Sequence, residues 1–193
     1  RLLPVLDETL SNFNNIKIIN EDILKLDIKK LIDDEFNGEK IAVCANLPYY
    51  ITSPVIMKLL EDKLPISSLT VMVQKEAADR ICAEPGSRQS GAISAAIRYY
   101  SSPKMLFKVS SGSFMPSPKV DSCVIKLDVL DKPPVCVCDE KVFFNVVKAG
   151  FSKRRKNILN SLSSGLNLTK DQVSKLLTDL EISTNLRAEQ LTL

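Results

Sequence analysis

The residues best suited to chemistry are the pentapeptide Asn46-Leu47-Pro48-Tyr49-Tyr50, which directly follows a short apolar run, Ile41 to Ala45. In open α/β sheets, ligands sit beyond the carboxyl ends of the strands, which is where this pentapeptide would lie. Its residue types suit one task in particular. An exocyclic adenine amine is a poor nucleophile because its lone pair is delocalised into the ring. The side-chain oxygen of Asn46 and the carbonyl of Leu47 could accept both amine hydrogens and favour a pyramidal nitrogen whose lone pair faces a methyl donor. Pro48 stiffens the turn, and the flat ring of Tyr49 could stack on an extruded base, a contact of roughly 1–3 kcal/mol. No general base is essential to this scheme, which suits a chain with no histidine. The same five residues also fit a strand followed by a proline turn with two surface tyrosines.

The elements needed to hold such a site are legible in outline. Ile16 to Asn20, Ile41 to Ala45 and Leu69 to Val73 read as buried parallel strands. Thr52-Ser53-Pro54 reads as a cap and first turn, with Val55, Ile56, Leu59 and Leu60 as the apolar face of the following helix. Gln74 to Ala83 and Ala92 to Tyr100 read as further helices. Lys104 to Val109 and Cys123 to Leu127 read as strands flanking a proline-containing loop from Ser110 to Ser122. The segment Asp131-Lys132-Pro133-Pro134 reads as a linker. Beyond it, Phe143, Val147, Phe151, Ile158 and Leu162 recur at helical spacing, and Thr169-x-x-Gln172 predicts a capping box before Val173, Leu176, Leu177 and Leu180.

The totals narrow the class. With 193 residues, 45% apolar and 25% charged, the profile is that of a globular protein with room for one domain and a smaller second one. A net charge of +3 does not by itself argue for nucleic acid, so a basic surface would have to be local. Five scattered cysteines fit reduced thiols in a cytoplasmic protein, and no apolar run is long enough to cross a bilayer. Without histidine a zinc site is not expected, and Cys136-x-Cys138 reads as structural.

Asn46 to Tyr50 matches the Asn-x-Pro-Tyr element of amino-directed methyltransferases, and the chain resembles the small-subunit (16S) rRNA adenine N6,N6-dimethyltransferase family at further places in the family's order. These are Asn20-Glu21-Asp22-Ile23-Leu24; Val73-Gln74-Lys75-Glu76 with Arg80, then Glu84-Pro85-Gly86-Ser87; Phe114-Met115-Pro116-Ser117-Pro118-Lys119-Val120-Asp121-Ser122; Phe151-Ser152-Lys153-Arg154-Arg155-Lys156-Asn157; and Arg187-Ala188-Glu189-Gln190-Leu191. One departure is Arg88-Gln89-Ser90-Gly91, where the family more often has an aromatic before the glycine.

The resemblance implies a Rossmann-like class I methyltransferase α/β sheet, truncated at its start, over residues 1–130, and a small all-α RNA-binding domain over 131–193. It implies S-adenosylmethionine as cofactor, with Asp22 and Ile23 at its adenine and Asn46 beside it, and dimethylation of N6 on two adjacent adenosines near the 3′ end of small-subunit rRNA, in ribosome biogenesis. Asn46, Leu47, Pro48, Tyr49 and Phe114 would handle the base. Arg80, Lys119, Lys153, Arg154, Arg155 and Lys156 would contact rRNA, the last four as consecutive cations at a helix position. The small ribosomal subunit is the expected partner and a monomer the expected state. None of the six glycines follows an early strand and opens a helix, so the family's glycine-rich cofactor turn is missing, and the chain is expected to be a fragment of weak or no activity. Two rival readings are a non-catalytic rRNA-binding assembly factor and an adenine methyltransferase acting on large-subunit rRNA or on DNA.

Overall fold

A computed structural model describes residues 2–192. The chain divides into two compact units, Arg1–Glu39 and Lys40–Leu193. In the first, α1 (Leu3–Leu10) buries no residue, while α2 (Ile28–Phe36) buries Ile28 and Ile32. The Asp27 carboxylate caps α2 by accepting from the Lys30 N–H at 3.0 Å, and Asn37 ends it in the left-handed conformation at φ 50°.

The expected strand at Ile16 to Asn20 does not form. The segment runs without a ladder, and Ile16 and Ile19 are 44% and 39% exposed. Strand conformation is held by inter-strand hydrogen bonds, and no strand pairs with these residues among those described; apolar alternation without a partner leaves an extended chain.

The second unit is built on a four-stranded sheet with order β1-β2-β4-β3: β1 (Ile41–Asn46), β2 (Ile66–Gln74), β3 (Ser101–Val109) and β4 (Ser122–Val129). Only the β1–β2 pair is parallel; β2–β4 and β3–β4 are antiparallel. The two central strands carry the core. Leu69, Val71 and Val73 stand opposite Leu127, Ile125 and Cys123, all 0–1% exposed. Helix α4 (Lys75–Ile81) packs on both strands, α5 (Ala92–Tyr100) packs on β3 and on α4, and α3 (Thr52–Glu61), which buries Val55, Ile56, Leu59 and Leu60, packs on α5. Contrary to the expectation of a fully buried strand, β1 alternates between half-buried and exposed, because it lies at an edge of the sheet. Pro103 is accommodated on β3, the other edge, where a missing N–H costs least. Thr52 is the first residue of α3 rather than its cap. A 3₁₀ turn at Tyr49–Ile51 leads directly into the helix, and the Thr52 hydroxyl donates backwards to the Pro48 carbonyl at 3.3 Å.

After β4, residues 130–138 carry no helix or strand, and three helices follow: α6 (Glu140–Phe151), α7 (Ile158–Leu166) and α8 (Lys170–Asp179). The capping box is present: the Thr169 N–H donates to Gln172 Oε1 at 2.9 Å and the Gln172 N–H to Thr169 Oγ1 at 3.3 Å. Val173 and Leu177 are buried, whereas Leu176 and Leu180 are exposed. Helices α6 and α7 cross closely at Gly165, where a Cβ would stand 2.5 Å from the Ala149 Cβ and 2.7 Å from its Cα.

Helix α6 joins α5 through Tyr99, Tyr100, Phe143 and Phe144, whose ring centroids lie 5.0–5.6 Å apart. The Glu140 carboxylate serves this joint, accepting from Lys63 Nζ at 2.8 Å, Tyr99 Oη at 3.4 Å and Tyr100 Oη at 3.5 Å. Burial, then the charge of Glu140, raises the pKa of both phenols above its ordinary value. Among the described residues no helix is long and apolar enough to cross a membrane.

Two outcomes follow. Gly165→Ala drives a methyl group into the Ala149 backbone and lowers stability by about 1–3 kcal/mol, read as a fall in Tm of roughly 2–10 °C, whereas Gly112→Ala, whose Cβ would meet only Ser110 Oγ at 3.7 Å, leaves Tm nearly unchanged. For the tyrosines, a raised folded-state pKa contributes stability that is complete below the unfolded value of 10.0 and is lost as pH rises beyond it. Absorbance titration should therefore show two tyrosines ionising late and together with alkaline unfolding; Tyr99→Phe and Tyr100→Phe should each remove one late phenol.

Candidate functional site

The carboxyl end of β1, the end of β2 and the start of β4 meet along one edge of the sheet. The register pairs Asn46 with Met72, Met72 with Val124 and Gln74 with Ser122. Asn46, the last residue of β1, is exposed, while the next side chain, Leu47, is only 7% exposed and anchors the turn in the core. The Leu47 N–H donates to the Met72 carbonyl at 3.4 Å, and its own carbonyl accepts no hydrogen bond among the described residues. Pro48, in an extended conformation at φ −57° and ψ 133°, turns the chain, and its carbonyl accepts the Ile51 N–H at 3.1 Å. The exposed Asn46 side chain and a carbonyl with no donor among the described residues thus lie one residue apart.

The Tyr49 hydroxyl and Ser122 Oγ are 2.9 Å apart. This bond spans the end of β2 and holds the Tyr49 ring over the strand ends, with the residue still 37% exposed. Tyr50, 86% exposed, has no such anchor among the described residues. Ser122 was quoted in the sequence only as the end of a loop motif; its partner lies 73 residues away, so no local signal reveals the bond.

The loop between β3 and β4 returns to this same edge. Its base is tied down by the Lys75 N–H donating to the Asp121 carbonyl at 3.0 Å and the Ser111 N–H donating to Asp121 Oδ1 at 2.9 Å. The Ser117 hydroxyl closes it on the Ser111 carbonyl at 2.8 Å. Phe114 sits half-buried in this loop, Met115 is 99% exposed and Lys119 is exposed. No ring contact joins Phe114 to Tyr49 among the described residues.

In the first unit, Asp22 forms a turn in which Oδ1 accepts the Leu24 N–H at 3.0 Å, and the carboxylate is exposed. One carboxylate oxygen fixed by the backbone and a second in the open is an acceptor that fits the N–H groups of an adenine amine; Ile23, beside it, is half-buried.

The expected cations fall into two places. Arg80, Lys153, Arg154 and Lys156 line one cleft of about 420 Å³, together with Arg187, Glu76, Asp79 and Glu189. Arg155 does not line it, and Lys119 lies on the β3–β4 loop. Five of these charges are already paired: Arg80 with Glu76 at 2.5 Å, Asp79 with Lys75 at 2.7 Å and Arg187 with Glu189 at 3.8 Å. Lys153 and Lys156 have no carboxylate partner among the described residues, and Arg154 donates to the Arg88 carbonyl at 3.2 Å.

These four consecutive cations do not sit on a helix, as expected, but in the turn between α6 and α7. The helix ends because Asn157 starts a new one, its side chain accepting the Asn160 N–H at 3.1 Å, while the Ser152 hydroxyl closes α6 on the Ala149 carbonyl at 2.7 Å. The turn follows the negative end of α6, which favours cations there. Arg187, quoted earlier only within a motif, joins the cleft because the Ile158 N–H donates to the Leu186 carbonyl at 2.6 Å and the Gly86 N–H to the Glu189 carbonyl at 2.6 Å.

The family described as Ribosomal RNA adenine dimethylase matches residues 1–193. The chain belongs to the ribosomal RNA adenine dimethylase family. It is 52% identical to Ribosomal RNA small subunit methyltransferase A of Alkaliphilus oremlandii over all of its own length and 67% of that protein. Among solved structures it is similar to a dimethyladenosine transferase from Plasmodium falciparum, with a TM-score of 0.76 and 23% identity over 99% of this chain and 74% of that one. It is also similar to the 23S rRNA methyltransferase ErmE, with a TM-score of 0.66 and 25% identity over 98% and 75% of the two chains. Membership of this methyltransferase family bears out the resemblance, and the solved structures bear out the α/β methyltransferase-type fold; the described residues contribute four strands to it.

The Tyr49–Ser122 bond can be tested without any substrate. Tyr49→Phe and Ser122→Ala should each lower stability by about 0.5–1.5 kcal/mol, and the double variant by little more than either alone. A fully additive double variant in denaturant titration would show that the two hydroxyls do not interact.

Proposed function

We propose that this protein transfers methyl groups from S-adenosylmethionine to N6 of adenosine in small-subunit rRNA, dimethylating two adjacent adenosines near the 3′ end during ribosome biogenesis. The observation that carries this reading is the pairing of the exposed Asn46 side chain with the unused Leu47 carbonyl at the end of β1. Two acceptors placed together suit an amine that must give up conjugation with its ring. The Asn46 oxygen and the Leu47 carbonyl orient the two amine hydrogens, and Pro48 keeps the turn rigid. Tyr49, its hydroxyl engaged by Ser122, offers a ring face to the extruded adenine, and Phe114 from the β3–β4 loop takes the opposite face. The bound cofactor would supply the methyl group, and Asp22 and Ile23 are the residues that would meet its adenine.

The helical region beyond residue 131 and α4 hold the rRNA through Arg80 and the Lys153, Arg154, Arg155 and Lys156 turn, with Lys119 contributing from its loop. Identity to the small-subunit methyltransferase of Alkaliphilus oremlandii at 52% favours the small subunit as partner. The protein acts as a monomer in the cytoplasm.

The test is label transfer from S-adenosylmethionine to undermethylated small ribosomal subunits, using the full-length protein expected from the resemblance and the chain alone. N6,N6-dimethyladenosine should form with the full-length protein, and Asn46→Ala should reduce the rate by about 10²-fold or more, with subunit binding retained. Tight subunit binding with no transfer by the unchanged full-length protein would leave only a binding role.

A further inference from the structure

Lys153 and Lys156 line a second groove besides the cleft they share with Arg80. This groove, of about 630 Å³, runs along the other side of the turn and is bounded by Asn160, Ser163, Ser164, Leu168 and Lys170. Its chemistry differs from that of the cleft. The cleft includes three carboxylates, whereas no lining residue of the groove is acidic. Lys153, Lys156 and Lys170 are all exposed, and none has an ion-pair partner among the described residues. Asp171, next to Lys170 on the first turn of α8, lies outside the lining. Small polar side chains complete the wall. Ser164 is exposed with its hydroxyl unengaged among the described residues, while Asn160 donates Nδ2 to Asn157 Oδ1 at 2.7 Å, leaving its amide oxygen unused.

Three unpaired ammonium groups beside a free hydroxyl, with no competing carboxylate, suit the phosphodiester backbone of a nucleic acid and carry no group arranged to read a base. The turn from Lys153 to Lys156 stands between this groove and the Arg80 cleft, and Lys153 and Lys156 border both. A single backbone strand passing through one depression leaves the other unfilled.

We propose that the α6–α7 turn is a two-sided wedge whose α7–α8 groove, through Lys170 with Ser164, holds a second stretch of RNA sugar-phosphate backbone separate from the stretch in the Arg80 cleft. The proposal rests on the rRNA reading above and adds to it that the bound RNA presents two backbone segments side by side. Lys170 is the residue that separates the two sides, since it borders the groove and not the cleft.

The experiment uses undermethylated small ribosomal subunits as probe and measures affinity across salt concentrations, hydroxyl-radical protection of the rRNA, and methyl transfer in the same samples. Lys170→Gln should weaken binding several-fold, lower the slope of log affinity against log salt by about 1, and remove protection from one rRNA tract while leaving another. Lys170→Arg should keep all three properties. Lys175→Gln removes the same charge from the same helix outside the groove and should leave the protected tracts intact. Both positions are exposed, and an unchanged Tm confirms that the fold is intact. Methyl transfer intact with Lys170→Gln unchanged in slope and footprint would overturn the second groove alone. A lowered slope and a lost tract in Lys170→Gln, with no transfer by the unchanged full-length protein, would support the groove and overturn the enzymatic reading instead.

Discussion

Everything in the second unit depends on the ladder between β2 and β4. Leu69, Val71 and Val73 face Leu127, Ile125 and Cys123 across it, and this double row of fully buried side chains fixes which residues end up opposite one another. A slip of one residue would turn the apolar set toward solvent, so the register is strongly held. Because the register is held, Gln74 meets Ser122, and because Met72 also pairs with Asn46, the end of β1 comes to the same edge as the start of β4. The hydroxyl bond between Tyr49 and Ser122 then becomes geometrically available. A core interaction thereby sets the position of an aromatic ring in a turn two strands away.

The helical region depends on a different kind of constraint, close approach. Gly165 lets α7 lie against Ala149 of α6, and the aromatic cluster of Tyr99, Tyr100, Phe143 and Phe144 seats α6 on α5. With both helices fixed, the six residues between them form an exposed turn rather than a continuous helix. The consequence for charge is large. On one helical face, four successive cations would spread around the axis; in a turn, Lys153 and Lys156 border two depressions, and Arg154 is drawn onto the Arg88 carbonyl. A modest net charge of +3 is thus compatible with a concentrated local field.

Several elements were readable from residue types alone, and for stated reasons. The capping box at Thr169 and Gln172 forms because its two hydrogen bonds are made within four residues and need no distant partner. Helices α3 and α5 follow the 3.6-residue apolar period, and β2 and β4 follow the alternation of a half-covered sheet. The failures have the opposite character. Ile16 to Asn20 has the composition of a strand, but a strand needs a neighbour, and composition carries no information on whether one is present. Thr52 has the residue type of a cap, yet the 3₁₀ turn before it moves the helix start and turns its hydroxyl back to Pro48. Phe151, Ile158 and the cations between them fit one long helical period, but the local capping of Asn157 onto Asn160 wins over that period.

The sequence by itself determined the chemical repertoire: an asparagine, a carbonyl, a proline and a tyrosine in immediate succession after a strand, a basic tetrapeptide and no imidazole, all of which are properties of residue identity and short spacing. It also determined the family, because the motifs occur in order along the whole chain. Only the tertiary structure decided which oxygens remain free at the end of β1, that Ser122 engages Tyr49, that Arg187 joins Arg80 in one cleft, and that Lys170 lies with Lys153 and Lys156 in another. Those are relations between residues far apart in the chain. They arise from strand register and helix crossing, which the burial of the whole core sets and no local run of residues encodes.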